Sequence, residues 1–156
     1  MIDRRTLFAL PLVLALPTPL PAAAPADPLA AALAMAWTAR GVRFAAGDVA
    51  ARIAGRDGRA ALLAVAGATV SADGEEVETA VEVVWAAGAE TPAWPLLGRD
   101  LARGLPGIAQ AGDGSWWLVE GAAGDAVRLR HPISGEARSL ARRDLALIGR
   151  PVISGA

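Results

Sequence analysis

Near residue 90 the apolar residues of this chain change their spacing, and that switch limits the available folds more than any other feature of the sequence. Between residues 28 and 89 they recur at the three- and four-residue intervals of helices. From Pro92 onward they fall in short alternating runs separated by Gly- and Pro-rich turns, the pattern of strands. Helices first and an antiparallel meander afterwards is an α+β arrangement, with the N-terminal helices packed on the sheet.

The helical half predicts four helices. The first covers residues 28–37, with Asp27 as N-cap, Pro28 at the first helical position, and Leu29, Leu33, Ala36 and Trp37 on one face; Gly41 ends it. A short second helix runs from a cap at Asp48 to Ile53, closed by Gly55, and a third covers about 58–66 behind Asp57. The fourth spans 75–87, with acidic residues at its N-terminus and Val77, Val81, Val84 and Trp85 as its buried stripe. Residues 81–85 also read as a strand. In the second half, strands are expected at 115–120, 126–131 and 136–140, joined by turns at 121–125 and 132–135, with a terminal helical turn over 142–148.

Residues 1–26 read as an export signal and not as part of the fold. Arg4 and Arg5 supply a charged start, residues 7–16 a short apolar run, and Ala24-Pro25-Ala26 a small-residue cleavage site before Asp27. The run is short and broken by Pro11 and Pro17, which suits a bilayer core of about 30 Å poorly. Arg4-Arg5-Thr6-Leu7-Phe8 fits the twin-arginine pattern, and an ordinary secretory signal with adjacent arginines fits as well. Residues 27–156 would then form one domain in a bacterial periplasm or outside the cell, with no membrane span after cleavage.

Composition removes several function classes. The chain has no cysteine and one histidine, His131, so thiol nucleophiles, disulfides and His/Cys metal clusters are excluded and no cofactor is expected. The net charge is −1 and every basic residue is arginine, which reads as coding bias; no basic footprint points to nucleic acid. Gly112-Asp113-Gly114 and the glycines at 121 and 124 are hairpin loops, lacking the lysine and following helix of a phosphate loop. Arg128 and Arg130 share a strand face opposite Val127 and Leu129, a pattern of solvated sheet. Arg138, Arg142 and Arg143 would extend it, diluted by Asp125, Glu136 and Asp144.

Three stretches carry a family resemblance. Asp27-Pro28-Leu29-Ala30-Ala31-Ala32-Leu33-Ala34-Met35 aligns with an Asp-Cys-Gly-Pro-Ala-x-Leu-Ala-Met-like opening, and Leu105-Pro106-Gly107-Ile108-Ala109 with a Leu-Pro-x-Ile/Leu-Ala strand. Ser115-Trp116-Trp117-Leu118-Val119-Glu120-Gly121, a turn, the strand 124–130 and His131-Pro132 align with a histidine strand, a charged-apolar strand and Asp-Pro. The chain thus resembles the bacteriocin-processing cysteine peptidase domain, a papain-like module that often precedes peptide-exporting transporters. Residues 56–80 look like an insertion.

The resemblance puts the family's nucleophilic cysteine at Pro28, its general-base histidine at Ser115 and its orienting aspartate at His131. The oxyanion-hole glutamine would fall among residues 22–24, which hold none. Proline ionises nowhere, and a serine hydroxyl is no base near neutral pH, so the parent thiol chemistry is lost. What the resemblance then implies is a catalytically inactive domain that binds a peptide or exported protein in a remnant cleft lined by Leu29, Trp117 and His131, in partnership with a transporter or envelope complex. Trp94 or Trp37 would complete an aromatic wall, since rigid rings bury much area at small entropic cost. Trp116 and Trp117 point to opposite sheet faces, and both also read as packing residues. Two other readings stand beside this one: a hydrolase using Ser115 and His131 with Asp113 or Asp125, and a purely structural envelope protein. In the hydrolase reading Ser115 has neither a nucleophile elbow nor a helix N-terminus for an oxyanion hole; otherwise His131 only caps the His131-Pro132 turn.

Overall fold

Asp27 starts helix α1 (Pro28–Ala39) by accepting the backbone N–H groups of Leu29 and Ala30 on its carboxylate at 3.0 and 3.3 Å, while Pro28 sits where no N–H is needed. The computed structural model describes residues 27–155, so the export signal expected over 1–26 lies outside the described residues. Helix α2 (Ala46–Ile53) begins ahead of the expected cap, and Asp48 lies in its first turn, where its charge favours the helix dipole. Helix α3 (Gly58–Ala64) follows the expected cap, the Asp57 carboxylate accepting from Gly58 N–H at 2.7 Å.

The expected fourth helix, over 75–87, is a strand. After β1 (Gly67–Val70), β2 (Glu76–Ala86) turns Thr79 and Val81 inward and Glu76, Glu78 and Glu82 outward, a two-residue period that runs until a bulge between Val83 and Trp85. Its valines and Thr79 are stiff at χ1 and pack better on a pleated surface than against a helical turn. The acidic residues line its solvent side. A short β3 (Ala89–Glu90) pairs back onto β2.

A helix missed in the sequence follows, in the half expected to hold only strands and turns. Helix α4 (Trp94–Ala102) has Pro95 in its first turn, and the Thr91 hydroxyl accepts from Ala93 N–H at 3.2 Å just before it. Next come β4 (Gly107–Ala111), β5 (Trp116–Ala123), β6 (Ala126–Arg130) and β7 (Ala137–Ala141). β5 runs further than expected, which shrinks the turn to Gly124-Asp125, with Gly124 at φ 59°. The helical turn expected over 142–148 is one 3-10 turn, Arg142–Asp144; β8 (Leu145–Gly155) then crosses the sheet. Leu145, Leu147 and Ile148 are buried because β8 is covered on both faces, and such strands lose the clean alternation that marks an exposed one.

The sheet is antiparallel, in the order β1-β2-β8-β4-β5-β6-β7 with β3 beside β2. Adjacent residues along its strands sort into two cores. Ile108, Trp116, Leu118 and Leu147 join Leu29, Leu33 and Trp37 of α1, with Val49 of α2 and Leu62 of α3. Ala109, Trp117, Val119 and Ile148 join Leu97 of α4, with Val127, Leu129 and Trp85. The first three helices therefore cover one face and α4 the other, an α+β architecture. Full burial of a side chain such as Leu33 or Leu62 contributes about 1.5–3 kcal/mol. No helix among the described residues is long and apolar enough to cross a membrane.

Candidate functional site

Ser115 sits where the tight turn after β4 enters β5, and its hydroxyl is engaged on both sides. It donates to Asp113 Oδ1 at 2.5 Å and accepts from Trp117 Nε1–H at 2.8 Å. Ser115 N–H also donates to Asp113 Oδ1, at 2.9 Å. These bonds, the hydroxyl's first, hold the Asp113 carboxyl below its ordinary range. A carboxylate so stabilised is a weak base, and the serine's one O–H donates its hydrogen bond to it.

His131 is brought to the same place without joining that chain. Its ring stands edge-on to Trp117 with centroids 5.3 Å apart, and Nδ1 accepts from Ile133 N–H and Ser134 N–H at 3.2 and 3.1 Å. The imidazole thus caps its own turn. Among the described residues no hydrogen bond links it to Ser115. Arg138 closes the arrangement, with its guanidinium carbon 4.7 Å from the Trp117 ring centroid.

Leu29 is elsewhere. It is buried in the core beneath α1 with Trp116, while Trp117 is 3% exposed in the core on the other face. The expectation that Trp117 shares a face with Ser115 matches their hydrogen bond, but the residue turned toward α1 is Trp116. A single groove lined by Leu29, Trp117 and His131 is therefore not assembled, because adjacent residues on β5 point to opposite faces. Trp37 and Trp94 are likewise split between the two cores, and Pro28 remains at the N-terminus of α1.

Open concave space lies instead between α4 and the β5–β6 hairpin. A groove of about 450 Å³ has Gly98, Leu101 and Ala102 on one wall and residues 121–123, Ala126, Arg128 and Ser139 on the other. A second hollow of about 300 Å³, reaching Gly104 and Pro106, shares Leu101, Glu120 and Arg128 with it. The arginine face seen in the sequence is sorted by its partners here. Both Glu120 oxygens lie 3.0 Å from Arg130 Nε, which holds Arg130 above its ordinary pKa, and Arg138 pairs with Glu136. Arg142 reaches Glu90 and Asp125. Arg128 has no carboxylate partner among the described residues, its side chain making a 3.5 Å hydrogen bond to Glu120 O. Sequence reasoning missed this groove because it missed α4; Pro95 in the first turn and Leu97 and Leu101 four residues apart were the available signal.

No group of three or more metal-ligating side chains gathers among the described residues. No family model, curated protein or solved structure matches the chain.

Proposed function

We propose that this chain is an exported, catalytically silent relative of the bacteriocin-processing peptidases, with their papain-like fold, that binds a peptide or a segment of an exported protein without cutting it. One observation carries this reading: Ser115, at the family's histidine position, is locked between Asp113 and Trp117, and the neighbouring imidazole is spent on a turn. The papain-like assignment is supported by a capped helix packed on an antiparallel sheet at the motif positions of the resemblance. Export to the periplasm rests on residues 1–26, and a transporter or envelope complex is the partner the resemblance implies.

Incubating the purified chain with glycine-rich leader peptides and following them by mass spectrometry tests the catalytic half. The expected outcome is no product above a buffer control. Cleavage abolished by Ser115→Ala and by a serine-directed inhibitor would instead establish the hydrolase reading. N-terminal sequencing of the protein from fractionated cells tests export, with Asp27 expected as the first residue in the periplasmic fraction.

A further inference from the structure

We propose that β7 is a self-association edge, along which two copies of this chain pair antiparallel about a two-fold axis at Ser139 and so join their sheets. The proposal goes beyond peptide binding and does not depend on the peptidase resemblance.

β7 ends the sheet order, with β6 on one side and no strand on the other among the described residues. His131 N–H donates to Glu136 O at 2.8 Å and Arg142 N–H to Asp125 O at 2.6 Å, at the two ends of the register from Arg130↔Ala137 to Ala126↔Ala141. Bonding in an antiparallel ladder alternates. Arg138 and Leu140 therefore turn their N–H and C=O groups to β6, while Ala137 and Ser139 turn both groups, and Ala141 its N–H, to the open side. A free row of this kind is a template for another strand unless proline, a bulge or an edge charge blunts it. β7 has no proline and no bulge against β6, and its one charge, Arg138, lies over the Trp117 ring. At the opposite end of the sheet β1 spans only four residues, and its continuation at Ser71 already pairs with Val42.

The residues along this edge fit a second copy, in one register. Centred on Ser139, that residue exchanges both bonds with its copy, Ala141 N–H meets Ala137 O at either end, and Arg138 faces Leu140. Glu136 then comes opposite Arg142 of the copy and beside its Arg143, an exposed cation with no carboxylate partner among the described residues. Moving the centre half a step either way sets Arg138 against a second arginine, Arg138 or Arg142, and like charges directly opposite are unfavourable. Centring on Ala137 would need Gly135 in the ladder. Gly135 has φ 78°, its N–H donates to His131 O, and its C=O accepts from Arg130 Nη1. The Ser139-centred pairing avoids both faults and brings opposite charges together at both ends. So short an edge buries less than the roughly 1,200 Å² of a stable interface, so the association is weak and shows at high protein concentration.

The test is a dilution series of the 15N-labelled full chain, read by amide chemical shifts and sedimentation equilibrium. A monomer–dimer equilibrium is expected, with concentration-dependent shifts large at Ala137, Ser139 and Ala141 and small at Arg138 and Leu140. That alternation separates edge pairing from general aggregation. Ser139→Pro removes an N–H that no ladder bond within the chain uses, so it should weaken dimerisation about tenfold or more while the monomer stays folded. Glu136→Arg should also weaken it. Combining Glu136→Arg with Arg143→Glu should restore part of the loss, a rescue that no general destabilisation gives.

The proposal is overturned if the chain stays monomeric throughout the series, if a dimer forms without the alternating shifts, or if folded Ser139→Pro dimerises as the wild type does. Should Ser139→Pro unfold, the charge exchange decides, and a double variant no better than Glu136→Arg overturns the pairing. Edge shifts that appear only on adding an unrelated extended peptide would give the edge to a foreign strand and overturn self-pairing.

Discussion

Arg40 and Asp100 form an ion pair at 3.0 Å with only 6% and 7% of their side chains exposed. Arg40 caps the C-terminus of α1 and Asp100 sits in α4, so the pair ties together helices that cover opposite faces of the sheet. Arg40 Nη1 also donates to Ala36 O and Pro106 O, at 3.0 and 2.7 Å. Arg150 of β8 donates from Nε to the same Asp100 oxygen at 2.8 Å and reaches Glu82 of β2. Burial lowers the Arg40 pKa, and the hydrogen bond and charge of Asp100 oppose that shift.

Asp100→Asn should therefore be among the most damaging single changes in the chain. It removes the only carboxylate that pairs with the buried Arg40 guanidinium among the described residues, a loss of about 3–5 kcal/mol, expected as a fall of roughly 10 °C or more in thermal unfolding. Arg150→Gln should cost less, because that side chain is partly in water and Arg40 keeps its pair. An Asp100→Asn melting point within a degree or two of wild type would show that the network does not bind the helices together.

The parts of this fold that were legible in the sequence are the local ones. Asp27-Pro28 and Asp57-Gly58 announce helix starts because a cap and its N–H groups lie within three residues. β2 reads first as a helix over 75–87 because Val77, Val81, Val84 and Trp85 satisfy a helical spacing; the alternative strand over 81–85 is the one that forms, and only the strand partners decide between periods, which β8 supplies from about seventy residues away. The start of β8, residues 145–148, fell within the helical turn expected over 142–148, since the pairing of this strand with β2 and β4 is entirely non-local. At the site, strand parity correctly placed Ser115 with Trp117. It could not say which face of β5 meets α1, a fact set by the register of β4 and β8 beside it. That Arg128 has no carboxylate partner among the described residues became visible only once Glu120 was seen to hold Arg130.

Asp113 makes the polar chain around Ser115 measurable by pH. Its folded-state pKa is lowered, so its contribution is present above the ordinary carboxylate pKa and is lost as pH falls through the lowered folded value. Ser115→Ala removes the hydroxyl donor, the largest cause of the shift, and leaves the backbone N–H. A carbon-detected NMR titration should then show the Asp113 midpoint moving up toward the ordinary value, with Trp117 Nε1–H shifting as it loses its acceptor. An unchanged midpoint would mean that the hydroxyl does not face Asp113 in solution.

Gly149, in the middle of β8, is a steric requirement and not a conformational one. A Cβ there would lie 2.7 Å from Val81 Cγ1 and 3.1 Å from Leu62 Cδ1, where α3 rests on the sheet. Gly149→Ala should destabilise by about 1–3 kcal/mol through overpacking. Adding Val81→Ala should restore part of that loss, since the two changes share one contact. Denaturant midpoints of the four proteins in the cycle measure this, and strict additivity would show that the strand shifts to accept the methyl group.

Arg142 lies between two indoles, its guanidinium carbon 4.6 Å from the Trp85 ring centroid and 4.8 Å from that of Trp94. Glu90 and Asp125 meet its two terminal nitrogens at 3.5 and 3.4 Å, and Trp85 Nε1–H is fixed on Leu145 O at 3.1 Å. A planar, weakly hydrated cation can stack on both rings and keep its ion pairs; a lysine ammonium can point at only one of these partners at a time. Arg142→Lys keeps the charge and should still cost about 1–2 kcal/mol, the range for a partly desolvated cation–π contact. Tryptophan emission should change with it, because Trp85 and Trp94 lose the planar group that covers their rings. Arg143→Lys, on an exposed neighbour, is the control and should alter neither stability nor emission. If both substitutions behave alike, the 3-10 turn is held by its charge and not by stacking on the two indoles.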